Sequence, residues 1–181
     1  MMPESEVLLV ASRFQVVREF QQTTEGLRPR EIVRHPGAVV VLPLLDDGRV
    51  CLIRNYRISV NQTLIELPAG TLEPNEEPIQ NAERELIEET GYRAAKLQKL
   101  HAFFLSPGIL DERMHLFLAT GLTEGETARE AGEDIDNLVV SWEEAVQMAV
   151  DGRIQDAKSI VGLLLVDRMM KSGKLKLTPV S

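Results

Sequence analysis

Three glutamates are spaced so that they share one face of a helix. Glu85, Glu88 and Glu89 stand at positions i, i+3 and i+4, and one helical turn rises about 5.4 Å, so their carboxylates can reach the same volume. Carboxylates that close stay ionised only where cations hold them together, and hard oxygen ligands suit Mg²⁺ or Mn²⁺. Taken alone, this spacing favours a simpler interpretation, an exposed helix face with surface ion pairs.

The sequence predicts the helix and the turn that would position these glutamates. Pro78 is a suitable first helical residue, helix formers continue to Thr90, and Gly91 is a natural C-terminal stop. Upstream, Gly70 allows the chain to turn tightly between a strand and this helix, which leaves the Ala69 carbonyl free to face a cation. Loop and helix together would then form one metal-binding cup.

The frame around the glutamates resembles the Nudix box. Gly70 is followed at fixed distances by Glu76, by Arg-Glu-Leu at 84–86, by Glu-Glu at 88–89 and by Gly-Tyr at 91–92, which meets every fixed position of the signature GX5EX7REUXEEXGU. The resemblance implies the family's α/β/α sandwich with a mixed sheet, which is an α+β fold. It also implies that Glu76 and Arg84 brace the loop and the helix.

The resemblance assigns roles within the box. Three carboxylates and one backbone oxygen would hold Mg²⁺, with Mn²⁺ as the alternative: Glu85, Glu88, Glu89 and Ala69. Glu85 and Glu89 are also expected among the catalytic residues. A cation held there would neutralise a diphosphate, polarise its P–O bonds and lower the pKa of a bound water, which is the chemistry of metal-assisted phosphoanhydride hydrolysis.

A second segment resembles the ADP-ribose pyrophosphatase branch of this family. Pro107 follows Tyr92 by 15 residues, within a Ser-Pro-Gly segment that is soon followed by Asp-Glu at 111–112. A Pro-Gly turn between two strands would explain the same residues without any substrate. The resemblance implies that ADP-ribose is split with water into AMP and ribose 5-phosphate. Two alternatives stay open: another nucleoside diphosphate sugar such as GDP-mannose, and a sensor that binds ADP-ribose without turnover.

Several residues outside the box are candidates for contact with the substrate. Arg54 and Arg57 follow a predicted strand that would end near the metal-binding cup. Arg57 matches an arginine that approaches the phosphates in related enzymes, but either arginine could pair with Glu66 on the surface. The substrate-binding set comprises Arg57, Arg54, Glu66, Pro107 and Glu112. The base that receives the water's proton is expected in the acidic loop 123–134, where Glu133 aligns best and Glu126, Glu130 and Asp134 are rivals.

The nucleobase has no obvious recognition element. Phe14 and Phe20 are the only aromatic residues before Tyr56, and Phe14 is expected to lie in the core rather than to stack on a base. The three histidines, His35, His101 and His115, are expected to be structural because no two of them stand at metal-ligand spacing.

The elements around the box predict an appendage and one domain. Short β-rich stretches occupy residues 1–37, and this branch of the family typically dimerises through such an N-terminal β-strand appendage, which predicts a homodimer; residues 38–181 are assigned to the Nudix domain. Asp-Gly at 47–48 predicts a hairpin that joins 39–42 to 50–53 as antiparallel neighbours. Further strands are predicted at 96–105, 114–122 and 137–141, with helices at 141–152 and 156–171.

Composition excludes several classes of function. The 181 residues carry 20 basic and 28 acidic side chains, a net charge of −8 that disfavours nucleic acid as a partner. The longest apolar run, 38–45, is too short to cross a membrane. Cys51 is the only cysteine, which excludes a disulfide scaffold. No secretory signal is visible, so cytoplasmic residence is expected.

Overall fold

The computed structural model describes residues 4–128 and 135–175. Within these ranges the chain forms ten strands and three helices. In chain order they are β1 (Glu6–Val10), β2 (Gln15–Thr23), β3 (Gly26–Arg34), β4 (Ala38–Pro43), β5 (Arg49–Arg57), β6 (Gln62–Glu66), β7 (Ala69–Thr71), α1 (Pro78–Thr90), β8 (Arg93–Phe104), β9 (Arg113–Thr123), β10 (Ile135–Ser141), α2 (Trp142–Val150) and α3 (Ala157–Lys171).

Two sheets form the centre of the molecule. One has the strand order β7-β4-β9-β8, in which β4 and β9 are parallel and the other pairs are antiparallel. The other has the order β10-β5-β6 and is antiparallel throughout. All six residues of β4 are buried, as expected for a strand in a parallel pair that is covered on both faces. The predicted α+β class and mixed sheet are confirmed.

Helices cover both faces of these sheets. Val39 and Val41 of β4 pack in one cluster with Leu86 of α1, whereas Val40 and Leu42 pack in a second cluster with side chains of α2 and α3. This division follows from the alternation of side chains along a strand. The result is an α/β/α sandwich, in which α1 alone forms one outer layer. No helix within the described ranges is both long and apolar enough to cross a membrane.

The predicted hairpin between 39–42 and 50–53 is wrong. Its turn forms, with Gly48 at φ +84° and the Leu45 amide donating to the Arg49 carbonyl at 2.8 Å. However, β4 and β5 belong to different sheets, and the described contact between them as strands is a single bridge between Leu44 and Val50. The strands separate because β4 finds its partners in β7 and β9, while β5 pairs with β6 and β10. The Asp-Gly turn therefore predicts that the chain reverses its direction, but it does not predict which strands pair with each other.

The first three strands form a sheet of their own. β1, β2 and β3 pair as an antiparallel meander within residues 6–34. Asp111 joins this sheet to the rest of the molecule, since it forms an ion pair with Arg34 at 2.9 Å and accepts a hydrogen bond from the His35 amide at 2.8 Å. A parallel bridge between Val33 and Leu110 adds to this junction.

The ends of α1 lie where the sequence predicts them. Pro78 is the first residue, and Gly91 ends the helix at φ +78° with its amide donating to the Ile87 carbonyl at 2.8 Å. A Cβ at position 91 would lie 2.5 Å from the carbonyl oxygen of Gly125. Only glycine therefore allows both the left-handed turn and the close approach of the 123–128 segment.

Glu76 fastens the loop that precedes α1 to the helix itself. Its carboxylate accepts hydrogen bonds from Arg84 at 3.1 and 3.3 Å and from Asn81 at 2.7 Å. The hydrogen bond from Arg84 is the main cause that lowers the pKa of Glu76 to about 2, against the opposing effect of burial. Asn81 also donates to the Thr71 carbonyl at 3.0 Å, which ties the loop at a second point.

We expect Glu76→Gln to remove the stabilisation that these hydrogen bonds provide, and the loss should depend on pH. The folded-state pKa of Glu76 is about 2, and in an unfolded chain it is about 4.3. A depressed pKa gives a stabilising contribution that is complete above about pH 4.5 and is lost as the pH falls toward 2. Thermal unfolding should show Glu76→Gln melting a few degrees below wild type at pH 7, with the difference shrinking between about pH 4.5 and 2.

The matched control is Glu83→Gln, because Glu83 lies exposed on the same helix. Its melting temperature should stay close to that of wild type at every pH. A difference in melting temperature between Glu76→Gln and wild type that did not change with pH would contradict the stabilising role of the Glu76 carboxylate.

Candidate active site

One cavity of about 930 Å³ lies beside the glutamate face of α1. Its walls come from α1, the segment 69–74, the end of β5, the beginning of α3, the turn 11–15 before β2, the segment 34–38, the residue that follows β8, and the segment 112–114. A cavity of this size is large enough for a drug-sized or nucleotide-sized ligand. Most of the functional residues predicted from the sequence meet here.

The three predicted metal-ligand glutamates line this cavity together with Ala69. Glu89 is buried and accepts a hydrogen bond from the Ala69 amide at 2.9 Å. Glu85 and Glu88 each contact Nη1 of Arg84, at 2.9 and 2.8 Å. Within residues 4–128 and 135–175, no three His, Cys, Asp or Glu side chains stand in the geometry of a preformed metal cage. The positive charge of Arg84 therefore partly balances the negative charges of Glu85 and Glu88.

Gly70 brings the backbone of the loop very close to this face. A Cβ at position 70 would lie 1.9 Å from the carboxyl carbon of Glu85, so any side chain there would displace that carboxylate. Three carboxylates and the backbone carbonyl of Ala69 on one wall are the oxygen ligands that hard divalent cations take. The residues present therefore fit a divalent metal ion.

Arg57 enters the cavity from β5 and is fixed by Glu66. Its Nε and Nη2 donate to the two carboxylate oxygens of Glu66 at 2.8 and 2.6 Å, which is the bidentate geometry that arginine forms with a carboxylate. Lys158 of α3 donates to the same carboxylate at 2.6 Å. Burial raises the pKa of Glu66, but the hydrogen bond from Arg57 and the charge of Lys158 outweigh it, so the net shift is downward.

Two members of the predicted substrate-binding set do not line the cavity. Glu66 is 1% exposed, so it acts on the cavity through Arg57 and Lys158, which do line it. Arg54 is exposed on the other face of β5 from Asn55 and Arg57, because successive side chains of a strand point in opposite directions. The prediction placed Arg54 and Arg57 together without applying this alternation.

Other predicted residues are distributed between two sites. Glu112 lines the main cavity, where its carboxylate lies 3.6 Å from Nδ1 of His35. Pro107 lines a separate groove of about 270 Å³, with Phe104 and Ile109. Glu133, the predicted base, lies outside the described residues, as do its rivals Glu130 and Asp134; Glu126 is described and exposed.

Sequence reasoning missed several residues that line the cavity. The expectation that Phe14 lies in the core is wrong, since its side chain is 38% exposed and lines the cavity. A turn closed by a 2.9 Å hydrogen bond from the Ala11 amide to the Phe14 carbonyl places it there. His35 and Lys158 were also missed. The alternation of β5 could have indicated Asn55, but no local pattern signals Lys158.

Positively charged side chains also line the cavity. The cations that line it outside α1 are Arg13, Arg34, Arg57 and Lys158. A protein with a net charge of −8 therefore presents both negative and positive groups in one cavity. That combination suits an anionic ligand that is bound together with a metal ion.

Comparison with known proteins agrees with this geometry. Residues 33–161 match the NUDIX domain. An ADP-ribose pyrophosphatase of Bacillus subtilis (strain 168) is 46% identical over 132 residues, or 72% of this chain and 71% of that protein. A methanol dehydrogenase activator of Bacillus methanolicus is 40% identical over 136 residues, or 74% of each chain. A GDP-mannose pyrophosphatase of Klebsiella pneumoniae is 34% identical over 137 residues, or 71% of this chain and 69% of that protein.

A solved structure shows the same fold. The crystal structure of an ADP compounds hydrolase superimposes with a TM-score of 0.80 and covers 97% of this chain and 96% of that chain, at 21% identity. Its coverage includes the N-terminal sheet as well as the sandwich. With the domain match over residues 33–161 and the glutamate cup in place, this chain belongs to the Nudix family.

Proposed function

We propose that this protein is a Mg²⁺-dependent pyrophosphatase that hydrolyses ADP-ribose to AMP and ribose 5-phosphate. The observation that carries the proposal is the single cavity in which the glutamate face of α1 and the cation Arg57 meet. A diphosphate needs both, because its negative charge must be balanced and its orientation fixed. The 46% identity to an ADP-ribose pyrophosphatase supports the choice of substrate.

Glu85, Glu88, Glu89 and the backbone oxygen of Ala69 would hold the cation. When bound, Mg²⁺ would balance the charge of the diphosphate, polarise a P–O bond and lower the pKa of a bound water. The chain's own contribution is to keep three like charges on one wall. Arg84 supports this by contacting Glu85 and Glu88 from the same helix.

Arg57 is proposed to orient the diphosphate. Because Glu66 engages Nε and Nη2, the guanidinium is held in one orientation while N–H groups on Nη1 remain for a phosphate oxygen. The hydrogen bond to Glu66 also raises the pKa of Arg57. Glu112 is proposed to contact the ribose, since it lines the same cavity beside His35.

Phe14 is proposed as the surface on which the nucleobase stacks. It is an exposed aromatic side chain on the cavity wall formed by the N-terminal turn, and stacking of a base on an aromatic ring is worth about 1–3 kcal/mol. Stacking tolerates any base, because every base has a π-face. GDP-mannose therefore remains the second candidate substrate, and the relative of that name supports it.

Glu133 is kept as the proposed base for the attacking water. The described residues on both sides of the segment 129–134 are hydrogen bonded to the end of α1. The Ala128 amide donates to the Glu88 carbonyl at 3.2 Å, and the Asn137 side chain donates to the Thr90 carbonyl at 2.8 Å. The described residues that flank this segment therefore contact the last turn of the glutamate helix.

A homodimer is proposed to form through the N-terminal sheet. β1 is exposed along its whole length, and the consecutive side chains Val7, Leu8, Leu9 and Val10 present apolar surface on both of its faces. β1 is also the edge of its sheet, and an exposed apolar edge strand favours association with another chain. A second copy of the same sheet is the proposed occupant.

The substrate is tested with purified protein, Mg²⁺ and a panel of ADP-ribose, GDP-mannose, NADH and diadenosine tetraphosphate. We expect preferential release of AMP from ADP-ribose, loss of turnover in excess EDTA, and recovery when Mg²⁺ is restored. Glu89→Gln should lower kcat by at least about a hundredfold. Glu83→Gln, exposed on the same helix, should retain wild-type kcat. Binding of ADP-ribose without turnover would move the protein to the sensor class, and preference for GDP-mannose would establish the alternative substrate.

Gly70→Ala tests whether the close approach of the loop builds the metal site. The new Cβ would displace the Glu85 carboxylate, which is the movable end of a side chain, so the protein should fold while its Mn²⁺ affinity falls about 10- to 100-fold. Titration followed by electron paramagnetic resonance measures this affinity. Gly108→Ala is the control because a Cβ there meets nothing within 4 Å. Unchanged Mn²⁺ affinity in a folded Gly70→Ala protein would contradict the assignment.

The dimer is tested by light scattering after gel filtration. Wild type should elute with twice the mass of one chain, and Leu9→Asp should elute as a monomer because it places a charge in the apolar strand. Gln22→Asp, exposed near the end of β2, should remain dimeric. A wild-type monomer across the micromolar range would exclude this proposal.

A further inference from the structure

Leu67 and Pro68 connect the two central sheets immediately before the metal-binding loop. β6 ends at Glu66 and β7 begins at Ala69, so these two residues pass from one sheet to the other. The Pro68 carbonyl accepts a hydrogen bond from the Val41 amide at 2.9 Å. Proline has no N–H group, so the amide of Leu67 is the last main-chain donor before Ala69.

Ser159 of α3 provides the acceptor for the Leu67 amide. Its hydroxyl accepts a hydrogen bond from this amide at 2.6 Å and donates one to Oδ2 of Asp156 at 2.5 Å. Asp156 caps α3 and also accepts a hydrogen bond from the Ser159 amide at 3.0 Å. Leu67 and Ser159 are both 0% exposed. A buried amide without a partner is destabilising, so the hydroxyl fixes where the backbone of Leu67 lies.

The packing of α3 brings the helix close enough for this contact. Gly162 follows Ser159 by about one helical turn, and a Cβ there would lie 2.8 Å from Cδ1 of Leu67 and 3.3 Å from Cδ1 of Leu116. Glycine inside a helix lowers its stability, but here the missing side chain lets α3 lie directly against Leu67. Leu67 is therefore held by α3 through its amide and through its side chain.

The residue that follows Pro68 enters the metal site. The Ala69 amide donates to Oε2 of Glu89 at 2.9 Å, and Ala69 pairs with Val40 of β4. The Ala69 carbonyl, a proposed metal ligand, stands two residues after the amide that Ser159 holds. The proline ring between them fixes φ near −65°, so a displacement of Leu67 would be transmitted to Ala69.

We propose that Ser159 is a positioning residue for the metal ion, which fixes the Ala69 carbonyl through the Leu67 amide. The inference rests on the proposed metal site and extends it to a helix that supplies none of the proposed metal ligands. Asp156 and Lys158 line the cavity, whereas Ser159 lies behind that wall. Loss of the Ser159 hydroxyl should therefore weaken metal binding although every proposed ligand is still present.

Ser159→Thr and Ser159→Val test the hydroxyl, because these two side chains have nearly the same shape and differ in that group. Titration with Mn²⁺, followed by electron paramagnetic resonance, measures the affinity. We expect Ser159→Thr to stay within about twofold of wild type and Ser159→Val to bind about tenfold more weakly, as expected when a residue that orients a metal ligand is lost. Ser159→Ala, which adds no methyl group, should also bind about tenfold more weakly.

Val166→Ala is the matched control for stability. Val166 is buried on the same helix, and removal of its two methyl groups weakens the packing of α3 while the Ser159 hydroxyl stays in place. Its melting temperature without metal should fall, whereas its Mn²⁺ affinity should equal that of wild type. A loss of Mn²⁺ affinity as large as that of Ser159→Ala would overturn the proposal, because affinity would then follow stability. Equal Mn²⁺ affinities of Ser159→Thr and Ser159→Val would overturn it as well.

Nuclear magnetic resonance of wild type gives a measurement that needs no substitution. If α3 and the metal-binding loop are joined through Ser159, titration with Mg²⁺ should shift the amide resonances of Ala69, Leu67 and Ser159 together. The resonance of Val166, farther along α3, should stay in place. A shift at Ala69 without one at Ser159 would contradict the proposed connection.

Hydrolysis of ADP-ribose is measured alongside to separate this inference from the proposed function. Wild type that binds Mn²⁺ but does not turn over ADP-ribose would reject the proposed function, while the Mn²⁺ titrations would still decide the role of Ser159. Turnover by wild type with the same Mg²⁺ requirement in Ser159→Val would reject the inference alone. The expected result is that Ser159→Val needs about tenfold more Mg²⁺ for half of its maximal rate, with a smaller change in kcat at saturating Mg²⁺.

Discussion

The arrangement of the cavity depends on the negative charges that lie on one face of α1. Glu85, Glu88 and Glu89 line the same cavity, and three negative charges on one helix repel one another unless positive charge balances them. Arg84 supplies part of that charge from the same helix, and Glu76 holds Arg84 in place. A divalent cation held by these carboxylates would balance the remaining negative charge. An acidic protein can in this way accept an anionic diphosphate, because the metal reverses the sign of the local charge.

A second group of charges follows the same rule with the signs exchanged. One buried carboxylate, Glu66, holds the cations Arg57 and Lys158 at hydrogen-bonding distance. A buried charge is costly unless it is paired and hydrogen bonded, so these three side chains constrain one another. Since they come from β5, β6 and α3, the wall depends on the packing of α3 against two neighbouring strands that precede it by about 90 residues in the chain.

Features that depend on the local spacing of residues could be predicted from the sequence. The glutamate face, both ends of α1 and the presence of α2 and α3 follow from short-range patterns. The pairing of β4 was not predictable in this way, because turn chemistry at Gly48 says nothing about the more distant partner β9. The exposure of Phe14 and the burial of Lys158 also depend on tertiary contacts. Long-range packing decided each of these outcomes.

Under the proposed function, chemistry and substrate preference are carried by different parts of the chain. The metal-binding wall acts on the diphosphate, which ADP-ribose and GDP-mannose share, so it cannot distinguish them. The relatives with these two names match similar shares of this chain, 72% and 71%. Discrimination must come from walls beyond the phosphates, and the turn 11–15 with Phe14 forms one of them. That turn lies before residue 33, where the family match begins, so under this proposal part of the nucleobase site is built by a segment outside the matched domain.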